Sequence, residues 1–407
     1  MPWSREEAAY RSLSLQSDTR IVFLVFDGLG DLPGPEGLTP LETARTPSLD
    51  RLASEGVCGL FDPVAPGVTP GSGPGHLGLF GYDPLRFPVG RGVLAALGID
   101  FPLQPTDVAA RFNYCTLDKD GRILDRRAGR ISTDENQRLT SVLQNRLTPT
   151  MDGVEVLLRT VSEHRGLIVL RGRDLGERVC DTDPQVTGIP PIEAHGEDEA
   201  SERTAAVVRQ IGRQVGKLLA AEKRANGILF RGFDRQPEIA SLSERVQLRP
   251  VCVAQYPMYR GLARLVGMHV PPPPQNLEAI PQALRTEWGS HDFFFVHVKY
   301  TDKAGEDGDF ARKIAVIEEV DRMIPEMLDL GPDVVVVSAD HSTPASLRTH
   351  SWHPVPTLLW SPGRVRRDAA KSFGETSCLG GGLGRHRLMY LLPLALAHAG
   401  KLKKYGA

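Results

Sequence analysis

The chain has 407 residues, enough for two or three domains. Its hydrophobic content of 41%, charged content of 24% and net charge of −2 are those of an ordinary globular protein, and they give no reason to expect nucleic acid or an anionic membrane as partner. The five cysteines (Cys58, Cys115, Cys180, Cys252, Cys378) stand far apart without a CxxC pair, which argues against a zinc knuckle or disulfide framework and for reduced thiols in a cytoplasmic protein. The N-terminus lacks the apolar core of a signal peptide, and no apolar run is long enough to span a bilayer.

Residues up to about Ser17 read as a short amphipathic helix. Ile21–Phe26, Ile-Val-Phe-Leu-Val-Phe, predicts a strand buried on both faces. It runs into Asp27-Gly28-Leu29-Gly30-Asp31, a carboxylate at a strand end followed by glycines that let the backbone turn sharply. Residues 68–84 are rich in small residues. Within them Ser72 precedes a predicted helix from about Pro74, where free amides and the helix dipole would stabilise an alkoxide or a phosphate attached to it.

From about Val89 the texture changes. Apolar runs shorten, strands alternate and arginines gather beside them. Val108–Leu117 and residues 122–125 read as a hairpin, followed by Arg126-Arg127-Ala128-Gly129-Arg130. The strand at 167–170 leads to Arg171. Cys180-Asp181-Thr182-Asp183-Pro184 is a polar turn, and 199–224 has the spacing of a long amphipathic helix. This stretch reads as an α+β domain inserted into an α/β one, with Pro271-Pro272-Pro273-Pro274 as the return linker.

Beyond it, 292–298 predicts another buried strand, leading into Lys299-Tyr300-Thr301-Asp302-Lys303-Ala304-Gly305-Glu306. The valine run at 334–337 predicts a central strand that ends in Ser338-Ala339-Asp340-His341-Ser342-Thr343-Pro344. His350 and His353 follow on a loop. In open α/β sheets chemistry sits outside the carboxyl ends of the strands. Three such ends here carry oxygen or nitrogen donors: Asp27, Asp302 with Glu306, and Asp340 with His341. Mixed Asp and His donors suit a two-metal site, and Ser72 is the candidate nucleophile.

These motifs resemble the alkaline phosphatase superfamily and, more narrowly, the archaeal-type cofactor-independent phosphoglycerate mutases. The resemblance runs from about Arg20 to Ala407. It rests on residues 26–31, on 70–84, on Asp125-Arg126-Arg127-Ala128-Gly129-Arg130-Ile131, on Asp181-Thr182-Asp183-Pro184, on 339–344 and on Gly381-Gly382-Leu383-Gly384-Arg385. It implies an alkaline-phosphatase-like α/β core, a mostly parallel sheet with helices on both faces, over 1–88 and 275–407. It also implies an inserted α+β domain over 89–274.

The resemblance further implies interconversion of 3-phosphoglycerate and 2-phosphoglycerate through a phosphoserine at Ser72. Asp27, Ser72, Asp340 and His341 match the ligands of the metal that activates the serine, and Asp302 and His350 match ligands of a second metal. The implied cofactors are two divalent ions, Mn²⁺ first, with Zn²⁺, Co²⁺ or Mg²⁺ as alternatives, and no 2,3-bisphosphoglycerate. Three positions depart from the family pattern. Glu306 stands where a histidine is usual, so a carboxylate could take the place of an imidazole there. His353 stands where a shorter polar residue is expected and is a further nitrogen donor. Arg260 stands where relatives often have lysine and keeps the charge.

Arg111, Arg126, Arg127, Arg130 and Arg171 are the candidate substrate-binding arginines of the insert, together with Arg260. Asp181 and Asp183 are candidates for the general base. The alternative within the same fold is a metal-dependent phosphatase or phosphonate-type hydrolase. An alternative of another class is a binding or regulatory homologue impaired by the change at Glu306. A homo-oligomer is compatible with this reading.

Overall fold

The structure, a computed structural model, describes residues 4–406. Two compact units make up the chain, Met1–Pro88 with Glu238–Ala407, and Val89–Pro237.

The first unit is built on a seven-stranded sheet of β1 (Ile21–Phe26), β2 (Val57–Asp62), β3 (Pro250–Ala254), β4 (Phe293–Val298), β5 (Val334–Ser338), β6 (Val355–Trp360) and β7 (Gly384–Arg387), in the spatial order β7-β2-β6-β5-β1-β4-β3. Strands β3, β4, β1 and β5 pair in parallel, β6 is antiparallel to both β5 and β2, and β7 is parallel to β2. Every residue of β1, β4 and β5 is buried, as their unbroken apolar runs require of strands covered on both faces. Register sets up the chemistry. Phe26 lies opposite Val298, and Val25 opposite Ser338. The three central parallel strands therefore end level with one another.

The chain returns to this unit at Glu238, not at 275. The strand expected at 251–254 is β3, paired in parallel with β4, so residues 238–274 belong to the first unit. Its five residues are too short an apolar run for periodicity to say which sheet they join.

The second unit holds an antiparallel sheet. Val108–Leu117 is flanked by Arg165–Arg171 and Gly227–Asp234, and Arg165–Arg171 is flanked in turn by Val154–Ser162. Alternation sorts its side chains. Ala110, Phe112 and Tyr114 face the helices Thr133–Arg146 and Glu199–Leu218 through Leu139, Leu143, Ala205, Ile211 and Val215. Ala109, Leu167 and Val169 face the helix Arg91–Gly98 on the other side. Among the described residues no helix is long and apolar enough to cross a membrane.

Candidate active site

Asp27 follows β1, Asp340 and His341 follow β5, and Asp302 lies on the helix Tyr300–Asp307 that begins directly after β4. All four are buried. Gly28 turns the chain after Asp27 at φ +62°, and a Cβ there would lie 2.5 Å from Thr343 Oγ1, so both conformation and space call for glycine. Ser72 is the first residue of the helix Ser72–Leu79, which starts two residues earlier than expected, with Gly71 at the N-cap. Its hydroxyl therefore sits among the free amides of a helix N-terminus.

His341 Nε2 is the meeting point. It lies 3.1 Å from Asp27 Oδ1, 3.3 Å from Asp340 Oδ2 and 3.4 Å from Ser72 Oγ. Its Nδ1 lies 3.0 Å from Thr343 Oγ1, and that hydroxyl donates to Asp302 Oδ1 at 2.6 Å. The His350 ring stacks on His341 with centroids 3.6 Å apart, and His350 Nε2 is 3.6 Å from Asp302 Oδ1. On the other side, His76 Nδ1 lies 3.1 Å from Asp340 Oδ2 and His297 Nε2 lies 3.6 Å from Asp27 Oδ2. Lys299 bridges two carboxylates, 3.0 Å from Asp27 Oδ2 and closely paired with Asp302 Oδ2.

The electrostatics follow from this crowding. Burial opposes ionisation of Asp27, but Lys299, His341 and His297 outweigh it and hold the carboxyl well below its usual range. Burial also opposes charge on His341, yet Asp340, Asp27 and Asp302 push its pKa up to about 9. Burial drives His297 well below an ordinary imidazole, against the pull of Asp27.

Whether a divalent ion suits these residues can be judged from their donors. Both oxygens of Asp27 and Asp340 Oδ2 are buried without a hydrogen-bond partner, although cationic groups approach them. Buried carboxylate oxygens left this way are costly unless something positive meets them. Two groups of donors converge closely enough to share an ion, Asp27 with Asp340 and His341, and Asp302 with His341 and His350. The residues fit a hard or borderline divalent cation.

Two proposed ligands lie outside both groups. Glu306 is exposed. The helix Tyr300–Asp307 buries Thr301, Asp302, Ala304 and Gly305. At about 100° per residue, Glu306 falls just beyond Asp302 on the flank away from Gly305. Gly305 itself is pressed against Thr343, where a Cβ would meet the carbonyl oxygen at 2.3 Å. His353 Nδ1 is engaged by Ser351 Oγ at 2.9 Å, and its ring stacks with Trp352. Arg260 donates to the carbonyls of Ala254 and Pro271, at 3.2 and 2.8 Å, and so ties the loop after β3.

In the second unit, Arg126 holds the buried Asp183 with two parallel hydrogen bonds of 2.7 and 2.8 Å. Burial opposes charge on Asp183, but Arg126 and the Gln185 amide outweigh it and lower its pKa. Asp181 accepts from the Gly232 amide at 2.7 Å, and Arg231 lies 3.5 Å from both Asp181 and Asp183. Arg111 stands directly across from Arg231 on the neighbouring strand, on the same face. Arg127 and Arg130 are exposed. With Arg111 and Arg165 they act on the buried His164, whose pKa burial and these cations press down to about 4. Arg171 is placed differently, since both of its hydrogen bonds to a carboxylate go to the buried Asp107, at 2.9 and 2.8 Å.

Sequence reasoning missed His76, His297, Lys299, Thr343 and Arg231. His76 had a readable signal, lying one helical turn after Ser72. His297 and Lys299 were hidden in and beside a strand read only for its burial.

Comparison with known proteins agrees with the geometry. A family model described as 2,3-bisphosphoglycerate-independent phosphoglycerate mutase matches residues 53–224. A Thermus thermophilus protein described as "probable 2,3-bisphosphoglycerate-independent phosphoglycerate mutase" is 51% identical over 401 residues, 98% of each chain. A Deinococcus radiodurans protein of the same description is 47% identical over 404 residues, again 98% of each. Among solved structures, a Pyrococcus horikoshii protein aligns with a TM-score of 0.82 at 30% identity, covering 96% of this chain and 99% of its own. A cofactor-independent phosphoglycerate mutase from Thermoplasma acidophilum aligns with a TM-score of 0.70 at 30% identity, covering 94% of this chain and 100% of its own. With such identity sustained along nearly the whole of both chains, this chain belongs to the 2,3-bisphosphoglycerate-independent phosphoglycerate mutases and is an isomerase.

Proposed function

We propose that the chain interconverts 3-phosphoglycerate and 2-phosphoglycerate by way of a phosphoserine at Ser72. The observation that carries this reading is the placing of Ser72 Oγ at a helix N-terminus, 3.4 Å from His341 Nε2 and beside carboxylate oxygens with no hydrogen-bond partner. Asp27, Asp340 and His341 with Ser72 would hold one divalent ion, and Asp302 with His350 a second. Bound there, such ions would lower the pKa of the serine hydroxyl and offset charge on the phosphoryl group.

The residues divide the remaining work. Ser72 Oγ attacks phosphorus, its bond to phosphorus forms, and the bond from phosphorus to the substrate's C3 oxygen breaks. The proton that Ser72 Oγ gives up on attack is balanced by one delivered to the C3 oxygen, and glycerate is released from covalent attachment. The C2 hydroxyl of the same glycerate then attacks the phosphoserine and gives up its proton to a base, and Ser72 Oγ leaves and takes a proton back. Within the second unit, Asp183 has both oxygens committed to Arg126, whereas Asp181 accepts from the Gly232 amide. Arg126, Arg231 and Arg111 offer planar donors for phosphate and carboxylate.

The test is incubation with 3-phosphoglycerate and Mn²⁺, following 2-phosphoglycerate and free phosphate together. Formation of 2-phosphoglycerate with little free phosphate supports the mutase reading. Free phosphate as the main product would favour a phosphatase on the same fold.

A further inference from the structure

Two cysteines far apart in sequence meet in the first unit. Cys58 is the second residue of β2, and Cys378 lies on the short helix Glu375–Leu379, which packs against β2 and β6. Both thiols are free and buried. The backbones around them touch. The Cys58 carbonyl accepts from the Leu383 amide at 2.9 Å, and a Cβ on Gly381 would lie 2.1 Å from the same oxygen. The Gly381 amide in turn donates to the Cys378 carbonyl at 3.2 Å. Cys378 Sγ donates to the carbonyl of Thr357 at 3.6 Å, and Thr357 lies opposite Gly59, the residue after Cys58. The two thiols are within hydrogen-bonding reach of one another. Burial first, and the Cys58 thiol second, hold the Cys378 pKa well above that of an ordinary thiol.

The other three cysteines are placed differently. Burial pushes Cys115 and Cys252 up to about 12, with Asp183 and Asp125 acting on the first and Arg260 and Arg264 on the second. Cys180 is only partly buried, with Sγ 3.1 Å from His195 Nδ1, so it meets a dissolved oxidant first. The helix that carries Cys378 also anchors the loop after β1. Glu375 accepts from the Asp31 amide at 3.1 Å and from Thr39 Oγ1 at 2.6 Å, and Asp31 pairs with the buried Lys313. A covalent bond at Cys378 therefore fixes that helix one turn from its hold on the loop.

We propose that Cys58 and Cys378 form a redox site, at which a hydroperoxide converts the two buried thiols into a disulfide that staples the helix Glu375–Leu379 to β2. One sulfur, as thiolate, attacks a peroxide oxygen. The O–O bond breaks, the departing oxygen takes up the thiol proton and leaves as water, and a sulfenic acid remains. The second sulfur attacks the first, the S–S bond forms and the S–O bond breaks. The hydroxide released takes the second thiol proton and leaves as water. Two electrons pass from the sulfur pair to the peroxide, and a dithiol reductant reverses the change by thiol–disulfide exchange.

The test is treatment of the full-length chain with hydrogen peroxide, then alkylation of the remaining thiols under denaturing conditions and peptide mapping by mass spectrometry. A linked peptide joining Cys58 to Cys378, two hydrogens lighter than its reduced parts and lost after dithiothreitol, is the expected result. The oxidised chain should melt about 5 °C higher than the reduced one, because the cross-link restricts the unfolded chain across a long loop. Cys378→Ser should show neither the linked peptide nor the rise, and Cys58→Ala serves as a second variant if the first does not fold. Full alkylation of both cysteines at a peroxide dose that already oxidises Cys180 would overturn the proposal. So would sulfinic acid at either position without the linked peptide, or the same rise in melting temperature in Cys378→Ser.

Discussion

Gly75 and Asp340 are in backbone contact: a Cβ on Gly75 would lie 2.0 Å from the Asp340 carbonyl oxygen. The helix that begins at Ser72 is therefore seated directly on the strand end that supplies Asp340 and His341. Gly75→Ala should force the two apart and destabilise the protein by about 1–3 kcal/mol, the usual range for overpacking. Activity should fall more than the stability loss explains, because Ser72 and His341 separate. Thermal melting and turnover, measured on the same sample, check both parts.

Ser72→Ala should abolish mutase turnover and leave stability within about 0.5 kcal/mol of wild type. Turnover near the wild-type rate would remove Ser72 as nucleophile. Intact-mass detection of a phosphorylated wild-type chain, absent from the variant, would support it independently.

Lys313 is fully buried behind the site. Its ammonium donates to the carbonyls of Gly28 (2.9 Å), Thr343 (3.0 Å) and Gly30 (3.4 Å), and to Asp31 Oδ2 at 2.8 Å. It thus ties the loop after β1 to the loop after β5. Lys313→Met leaves Asp31 charged and uncompensated, which should cost about 3–5 kcal/mol. Urea unfolding reads the loss, and adding Asp31→Leu should recover part of it.

A pH effect is expected in the second unit. His164 has its folded pKa near 4, below the ordinary value of 6.5, because of burial and the arginines around it. The unfolded chain binds this proton more readily. The contribution to stability is therefore fully present above pH 6.5 and lost as pH falls through 4. His164→Asn should flatten stability against pH across that window. An unchanged profile would mean that other groups dominate the acid transition.

Glu306→Ala should leave bound metal unchanged and activity within about twofold, as expected of an exposed side chain with little packing. Metal analysis after dialysis decides the matter. A clear loss of metal would bring Glu306 back as a ligand.

Much of the site was legible along the chain because it is built at strand ends. An unbroken apolar run that stops at a carboxylate marks both a doubly covered strand and the place where a donor emerges, as at Phe26-Asp27 and Ser338-Ala339-Asp340. Ser72 among small residues was readable for the same kind of reason, since only glycines let a helix start this close to another backbone. What needed the tertiary structure were facts about neighbours distant in sequence. Spacing could place Glu306 one turn from Asp302, but only the packing of Gly305 on Thr343 decides which flank of that helix is buried. The count of arginines could not separate Arg126, bound to the Asp183 group, from Arg171, bound to Asp107. Nor could the sequence show that Lys299 bridges Asp27 and Asp302, because that contact depends on the register of β1 against β4. Local pattern determines which residues reach a strand's end, and the pairing of strands determines what they meet there.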